Sequence, residues 1–176
     1  MDINKEVGVY ALSSAVSLKV IRSASKDLVP HPNLNSTAKI RYNRYSLKNT
    51  IFSKEVVSQL VGHLLGDGSI AFAKTSVNPY FIFTQTFKRM EYVWFVYDKL
   101  SHYCASFPRY VPSYRKGVYV PFFQVLTRSY PYLHSLHSLF YKTVNGKLTK
   151  VISPDLLSYI DSIALAFFTL RWSYGR

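Results

Sequence analysis

Little in this chain can be cross-linked. Its only cysteine is Cys104, so no disulfide can close within one chain, and no Cys/His spacing of a zinc site occurs. That count permits a reducing compartment, and Cys104 reads as a small buried residue. Glycine is also scarce, at 7 of 176 residues. None of the seven falls into a GxxxxGK[ST] or GxGxxG phosphate-binding pattern. Long apolar runs are missing. The most tempting stretch, "VGVYALSSAVSLKVI" at 7–21, is short, rich in serine and broken by Lys19, which excludes a membrane span there. Asp2 and Glu6 precede it, against the basic opening of a secretory signal and against an ordinary transit peptide. Acidic residues are the largest shortage, nine against 22 Lys and Arg, for a net charge of +13. A surplus of that size calls for a polyanion, either nucleic acid or an anionic membrane surface. Charge and composition together point to nucleic acid.

What is present suffices for a packed domain. Apolar residues make up 48% of the chain, with 15 Tyr and 12 Phe. The length fits one domain or slightly more. Residues 1–50 read as a basic leader or arm. They hold eight Lys and Arg against three acids and break at "VPHPNLNS". Part of 7–22 suits a helix, and 30–50 reads as an irregular basic linker.

From Phe52 the pattern sharpens. Ser53 suits an N-cap, and Val56, Val57, Leu60, Val61, Leu64 and Leu65 follow at helical spacing. "SIAFAK" and the alternating "PYFIFTQTF" read as strands. "RMEYVWFVYDKLSHY" reads as a helix with a face at Tyr92, Phe95, Val96, Lys99 and Leu100. "PRYVPSYR" and "YVPFFQVLTRS" read as two strands turning at Lys116–Gly117, with prolines that make them edges or bulges. "YPYLHSLHSLFYKTV" reads as a helix and "NGK" as a turn. A last helix is expected over "SPDLLSYIDSIALAFFTL", capped by Ser153 with Pro154 at its first position. This order predicts an α+β unit, a four-stranded antiparallel sheet with helices on one face and the other open to a large ligand.

The stretch "QLVGHLLGDGSI" at 59–70 carries the chemistry. Glycine costs about 1 kcal/mol in a helix relative to alanine, yet Gly62 and Gly66 sit four apart on one side. Two notches there let an equivalent helix approach closely. Asp67 then falls where two helix ends meet, at the unfavourable negative end of a helix dipole. A divalent metal ion is the strongest candidate to offset it, and two such acids would share metals on a phosphodiester. The bland alternative is a helix stop followed by a turn, with Asp67 solvated or capping.

The segment "LVGHLLGDG", Leu60–Gly68, resembles the nine-residue signature of the LAGLIDADG homing endonucleases. Leu60, Gly62, Asp67 and Gly68 match its letters, and Val61, Leu64 and Gly66 replace theirs conservatively. His63 departs from the usual aliphatic residue, and Leu65 replaces an acid other than the catalytic one. Segments 80–100, 126–141 and 150–168 also look like the family in order, so the resemblance covers about two-thirds of the chain. It implies an αββαββα unit over 51–150 with a saddle-shaped sheet astride double-stranded DNA. It implies that Asp67 binds Mg2+ or another divalent cation and that Gln85 lies near the metal. Gln85 read alone is equally a solvent-facing strand residue or a base contact.

The sheet segment is basic from physics alone. Lys74, Lys88, Arg89, Lys99, Arg109, Arg115, Lys116 and Arg128 face only Glu91 and Asp98 as acids in that span. All of these cations except Lys99, which lies on a helix, are candidate nucleic-acid contacts, as is Gln124. Arg reads guanine and Gln reads adenine in a major groove. Lys88 and Arg89 also fit a solvated turn. Tyr110, Tyr114 and Tyr119 interleave with the charges and suit either the backbone of a nucleic acid or ordinary strand packing. His134 and His137 lie three apart without a visible third ligand and read as surface or half-buried residues.

The second signature departs from the family. "IALAFF" leads into "TLRWSYGR", and no acid follows Asp161. Residues 151–176 are therefore expected to be the remnant of a second signature helix that brings Arg171 to the metal position. This reading, a truncated two-unit enzyme with weak or no cleavage, is preferred over a homodimer through the 53–67 helix that would supply Asp67 twice. The resemblance carries a second function class, an RNA-binding maturase assisting splicing of its intron. It also implies an intron-encoded protein of the mitochondrion, or alternatively the plastid.

Overall fold

The computed structural model describes residues 37–173. The helix expected within 7–22 and the leader through residue 36 lie outside the described residues. Within 37–50 the expected irregular linker is corrected. Arg44–Asn49 forms a short helix, α1, whose N-cap Asn43 accepts from the Ser46 N–H.

Helix α2, Lys54–Leu65, starts as the sequence dictates, with Ser53 Oγ accepting from the Val56 N–H at 3.3 Å. Val56, Leu60, Val61 and Leu64 are buried, and so are Ser58, Gln59, Gly62 and His63. A helix buried on both sides has two neighbours. One is the sheet and the other is the last helix of the chain.

The chain then pairs strands β1, Gly68–Phe72, and β2, Pro79–Thr86, with Gly68 opposite Phe83. Helix α3, Met90–Leu100, follows a short 3-10 turn at Phe87–Arg89. Its buried face is Tyr92, Val93, Val96, Tyr97 and Leu100. This corrects the expected face, in which Phe95 and Lys99 stood for Val93 and Tyr97. Phe95 is exposed at its rim, stacked against Phe167 at 6.1 Å.

The next two expected strands are each cut by a proline. The first becomes β3, Arg109–Val111, and β4, Tyr114–Arg115; the second becomes β5, Val118–Tyr119, and β6, Phe122–Leu126. Pro112 and Pro121 offer no N–H to a ladder, so the register is interrupted at both. The tip β4–β5 turns at Lys116 and Gly117, which take φ values of 49° and 78°, the left-handed pair of a two-residue hairpin. The remaining strands form one antiparallel sheet in the order β1-β2-β6-β3.

Helix α4, Leu133–Phe140, is shorter than expected. Residues 141–144 leave it as β7, Tyr141–Val144, and pair with β8, Lys147–Lys150. Asn145 and Gly146 close this second hairpin with φ values of 52° and 76°. The final helix is also divided. A 3-10 turn at Pro154–Tyr159 precedes α5, Ser162–Ser173. Asp161, not Ser153, starts the α-helix, since its Oδ1 accepts from the Ala164 N–H at 2.8 Å.

Alternation fixes which sheet face is covered. Phe81 and Phe83 of β2 and Val125 of β6 are buried against Leu60, Leu64, Tyr92, Val96, Leu100, Leu133 and Phe140. Tyr80, Ile82 and Thr84 of β2 point to the opposite face and stay half-exposed. The architecture is therefore the expected α+β layer, helices on one face and an antiparallel sheet beneath. Cys104 is fully buried and free, and that burial raises its thiol to about 12.

Arg128 is the clearest correction. The sequence reading set it among nucleic-acid contacts, but it is buried. Its Nη1 donates to Cys104 O at 2.6 Å and Thr37 Oγ1 at 2.9 Å, and its Nη2 to Thr37 O at 2.6 Å and Ile40 O at 2.8 Å. Its guanidinium also sits 4.2 Å over the Tyr42 ring. A cation buried this way binds the chain to itself, fastening residues 37–42 to the end of the sheet.

Candidate active site and nucleic-acid face

The site is built where α2 ends. A Cβ placed on Gly62 would meet Ala164 O at 2.4 Å and Phe167 Cβ at 2.8 Å. Only glycine lets the α5 backbone come so close. One turn earlier, Ser58 Oγ donates to Asp161 Oδ2 at 2.6 Å. Partner numbers rise together along both helices, so α2 and α5 run parallel. The side of α2 that a second copy of the chain would use holds the chain's own α5. The described side chains end at Leu170, so the expectation for the Arg171 side chain lies outside them.

Gly66 is the C-cap of α2, its N–H returning to His63 O at 3.0 Å. Gly68 is sterically demanded, because a Cβ there would fall 2.8 Å from both His63 O and the Phe81 ring. Between them Asp67 is exposed. Its Oδ2 accepts from Gln85 Nε2 at 2.6 Å. Gln85 occupies a buried-face position of β2, so its amide reaches the end of α2 from beneath. A cleft of about 260 Å3 opens here, lined by Asp67, Thr84, Gln85, Thr86, Arg115, Val120 and Phe122.

Sequence reasoning missed one participant. Lys150, at the end of β8, donates to Gly68 O at 2.8 Å and Gly66 O at 3.4 Å. Its ammonium lies at the carbonyl end of α2, where a cation is favoured. The positive charge expected of a metal at that dipole is thus supplied by a lysine. The separation of 82 residues from Gly68 left no local signal for it.

Does the site suit a metal? Asp67 offers hard carboxylate oxygens at a cleft, one of them held by the Gln85 amide N–H. Among the described residues no group of three or more His, Cys, Asp or Glu could hold an ion. α5 contributes no acid along Ser162–Ser173. Such a donor set fits one Mg2+-like ion that takes most of its ligands from water and phosphate. It does not fit an all-protein cage. His134 and His137 form no ligand set either, since His137 stacks on Tyr141 at 4.7 Å.

His63, the departure within the signature, is wholly buried. Its ring lies 4.7 Å from Phe83 and 5.2 Å from Phe167. Burial drives its pKa down to about 3, so it serves as a neutral aromatic core residue.

The candidate nucleic-acid contacts separate into groups. Arg115 joins Asp67 and Gln85 in the cleft, and Lys116 stands at the β4–β5 tip. Arg109 and Gln124 are opposite one another on the helix-free face, with Arg109 Nη2 donating to Gln124 Oε1 at 2.7 Å. Lys74, before β2, and Lys88 with Arg89, after it, stand at opposite ends of that strand. Tyr110 and Tyr119 join hydroxyl to hydroxyl across the β3 and β5 segments. Among the described residues no helix is long and apolar enough to cross a membrane.

Two comparisons bear on this arrangement. A sequence profile described as the LAGLIDADG DNA endonuclease family matches residues 57–171. A solved structure of the homing endonuclease I-WcaI bound to its DNA recognition sequence superposes with a TM-score of 0.59 at 27% identity. The match covers 69% of this chain and 52% of that one, so this chain spans about half the length of that endonuclease. The matched span holds the signature helix, the four-stranded sheet and the Asp67 cleft together, and on that ground the chain belongs to the LAGLIDADG DNA endonuclease family.

Proposed function

We propose that this chain is a DNA-binding unit of homing-endonuclease type, in which Asp67 binds a divalent metal ion for phosphodiester hydrolysis. The observation that carries the reading is the Asp67–Gln85 hydrogen bond at 2.6 Å, set in a cleft shared with Thr84, Thr86 and Arg115. A carboxylate needs this shape of setting to meet a phosphate: an exposed oxygen, a fixed rotamer and a cation nearby. Gln85 orients the carboxylate. Lys150 holds the backbone on both sides of it. Arg115 faces the same cleft and would take the charge of the scissile phosphate. A bound Mg2+ would supply Lewis acidity toward a phosphoryl oxygen and an acidified water.

Among the described residues lining the cleft, Asp67 is the one carboxylate. A clamp on both the attacking and the leaving oxygen uses two ions, so this chain by itself is expected to nick slowly or to bind without cutting. The DNA partner is supported by the net charge of +13 and the kinship with an endonuclease bound to its recognition sequence. Residence in the mitochondrion or plastid and an intron-encoded origin belong to the same proposal, on the resemblance of the signature segments.

The test is a selection from a randomised duplex library, followed by incubation with Mg2+ of the enriched duplex with wild type and Asp67→Asn. Enrichment of one motif, slow metal-dependent nicking and loss of nicking in the variant with binding retained are the expected results. Nicking that survives Asp67→Asn contradicts the assignment. Binding to structured RNA in preference to any duplex at matched salt would favour the maturase reading instead.

A further inference from the structure

Three side chains on the helix-free face of the sheet form one row. Thr84 of β2 is opposite Gln124 of β6, and Gln124 is opposite Arg109 of β3. Their chain neighbours Phe83 and Val125 are buried on the other face, so Thr84 and Gln124 point outward. The row is bonded end to end. Arg109 Nη2 donates to Gln124 Oε1 at 2.7 Å, and Gln124 Nε2 reaches Thr84 Oγ1 at 3.4 Å.

We propose that Arg109, oriented by Gln124 and Thr84, reads one guanine in the major groove of the DNA target. This rests on the DNA-binding reading above and extends it to a specificity residue. Three strands spaced about 4.8 Å apart make a row about 10 Å across, which fits a groove about 12 Å wide. The direction of the bonds decides which base is read. Adenine recognition needs the whole amide edge of a glutamine. Gln124 has turned its oxygen to Arg109 and its nitrogen to Thr84, so its edge is engaged along the row. Arg109 has spent one N–H of its five-donor fork on Gln124. The rest can donate to guanine O6 and N7, the bidentate pairing that arginine makes best.

The flanking rows sharpen the assignment. On one side Ile82 is opposite Leu126, and on the other Thr86 and Val111 are each opposite Phe122. Neither row carries a charge of its own, and the nearby cation Arg115 reaches the Asp67 cleft from the β4–β5 tip, so Arg109 is the arginine rooted in this row. An arginine that serves only a phosphate gains nothing from being held across three strands. One that must meet a base edge gains the geometry.

The experiment repeats the randomised-duplex selection with the full chain as wild type, Arg109→Ala, Arg109→Lys and Gln124→Leu. Arg109 is exposed, and equal melting temperatures would establish that the variants fold. In wild type one position of the motif should be guanine. Arg109→Ala should lose about 5- to 150-fold of discrimination at that position alone, the worth of a bidentate pair. Arg109→Lys should not restore it, because an ammonium lacks the fork. Gln124→Leu should weaken the same preference, and no other, by a smaller factor. An unchanged motif in Arg109→Ala overturns the proposal while leaving the DNA-binding reading intact. So does a uniform loss over all sequences with a salt slope lower by about one, the mark of a phosphate contact. No enriched motif in wild type overturns both.

Discussion

Ala164 O occupies the space in which a side chain on Gly62 would begin, 2.4 Å from the position of its Cβ. The atom is backbone, so it cannot swing aside as the end of a side chain could. The contact joins α2 to α5 and sets the depth at which the Asp67 turn emerges. Gly62→Ala should therefore force the helices apart and destabilise the fold by about 1–3 kcal/mol, the usual cost of overpacking. Gly62→Val should cost more. Urea unfolding of both variants checks this, and a Gly62→Val chain as stable as wild type would show that the two helices do not meet there.

His63 gives a prediction with a defined pH window. Its folded pKa is near 3 because of burial, while the unfolded imidazole titrates near 6.5. Below about pH 6.5 the unfolded chain takes up a proton that the folded chain refuses. Stability from this residue is thus complete above that pH and falls steadily toward pH 3. Among the described residues its ring neighbours are Phe81, Phe83, Tyr92 and Phe167. His63→Leu should raise the melting temperature at neutral pH, because Nε2 is buried without a partner. It should also flatten the acid limb by about one proton, measured as melting temperature against pH between 4 and 7. An acid limb of unchanged slope would contradict the burial.

Arg128 should behave as an architectural residue. Replacing it with Met leaves the carbonyls of Thr37, Ile40 and Cys104 without their donor. Stripping the donor from the buried Cys104 carbonyl costs about 1–3 kcal/mol, and the part-buried Thr37 and Ile40 carbonyls add less, so chemical denaturation should reveal a loss of stability. Proteolysis near residues 37–42 should quicken in parallel. The base preferences of whatever folded protein remains should be those of wild type. A stable Arg128→Met chain with altered base preference would return Arg128 to the nucleic-acid contacts.

Local signals were legible and long-range ones were not. Ser53 announced α2, and the alternation of "YFIFTQ" announced β2. The signature letters marked Asp67. The helix ending at Phe140 was overestimated because "YKTV" continues its apolar pattern, yet Asn145–Gly146 closes a hairpin that pulls those residues into a strand. Tertiary pairing outweighed helical propensity there. Arg128 looked like its exposed neighbours in composition, and its fate rests on Thr37, 91 residues away. Lys150 was invisible for the same reason. Gly62 meets the α5 backbone where its spacing pointed, and Gly66, equal to it in sequence, also caps the helix, which stops at Leu65.

The proposed metal site depends on Asp67 as the oxygen donor to an ion that sits between protein and DNA. Its most direct measurement is the affinity for the selected duplex with and without Ca2+, an ion that can bridge carboxylate and phosphate while cleavage is left out of the readout. Wild type should bind the duplex several-fold more tightly with the ion present, and Asp67→Asn should bind equally with or without it. The same gain from Ca2+ in both proteins would contradict a metal site at Asp67.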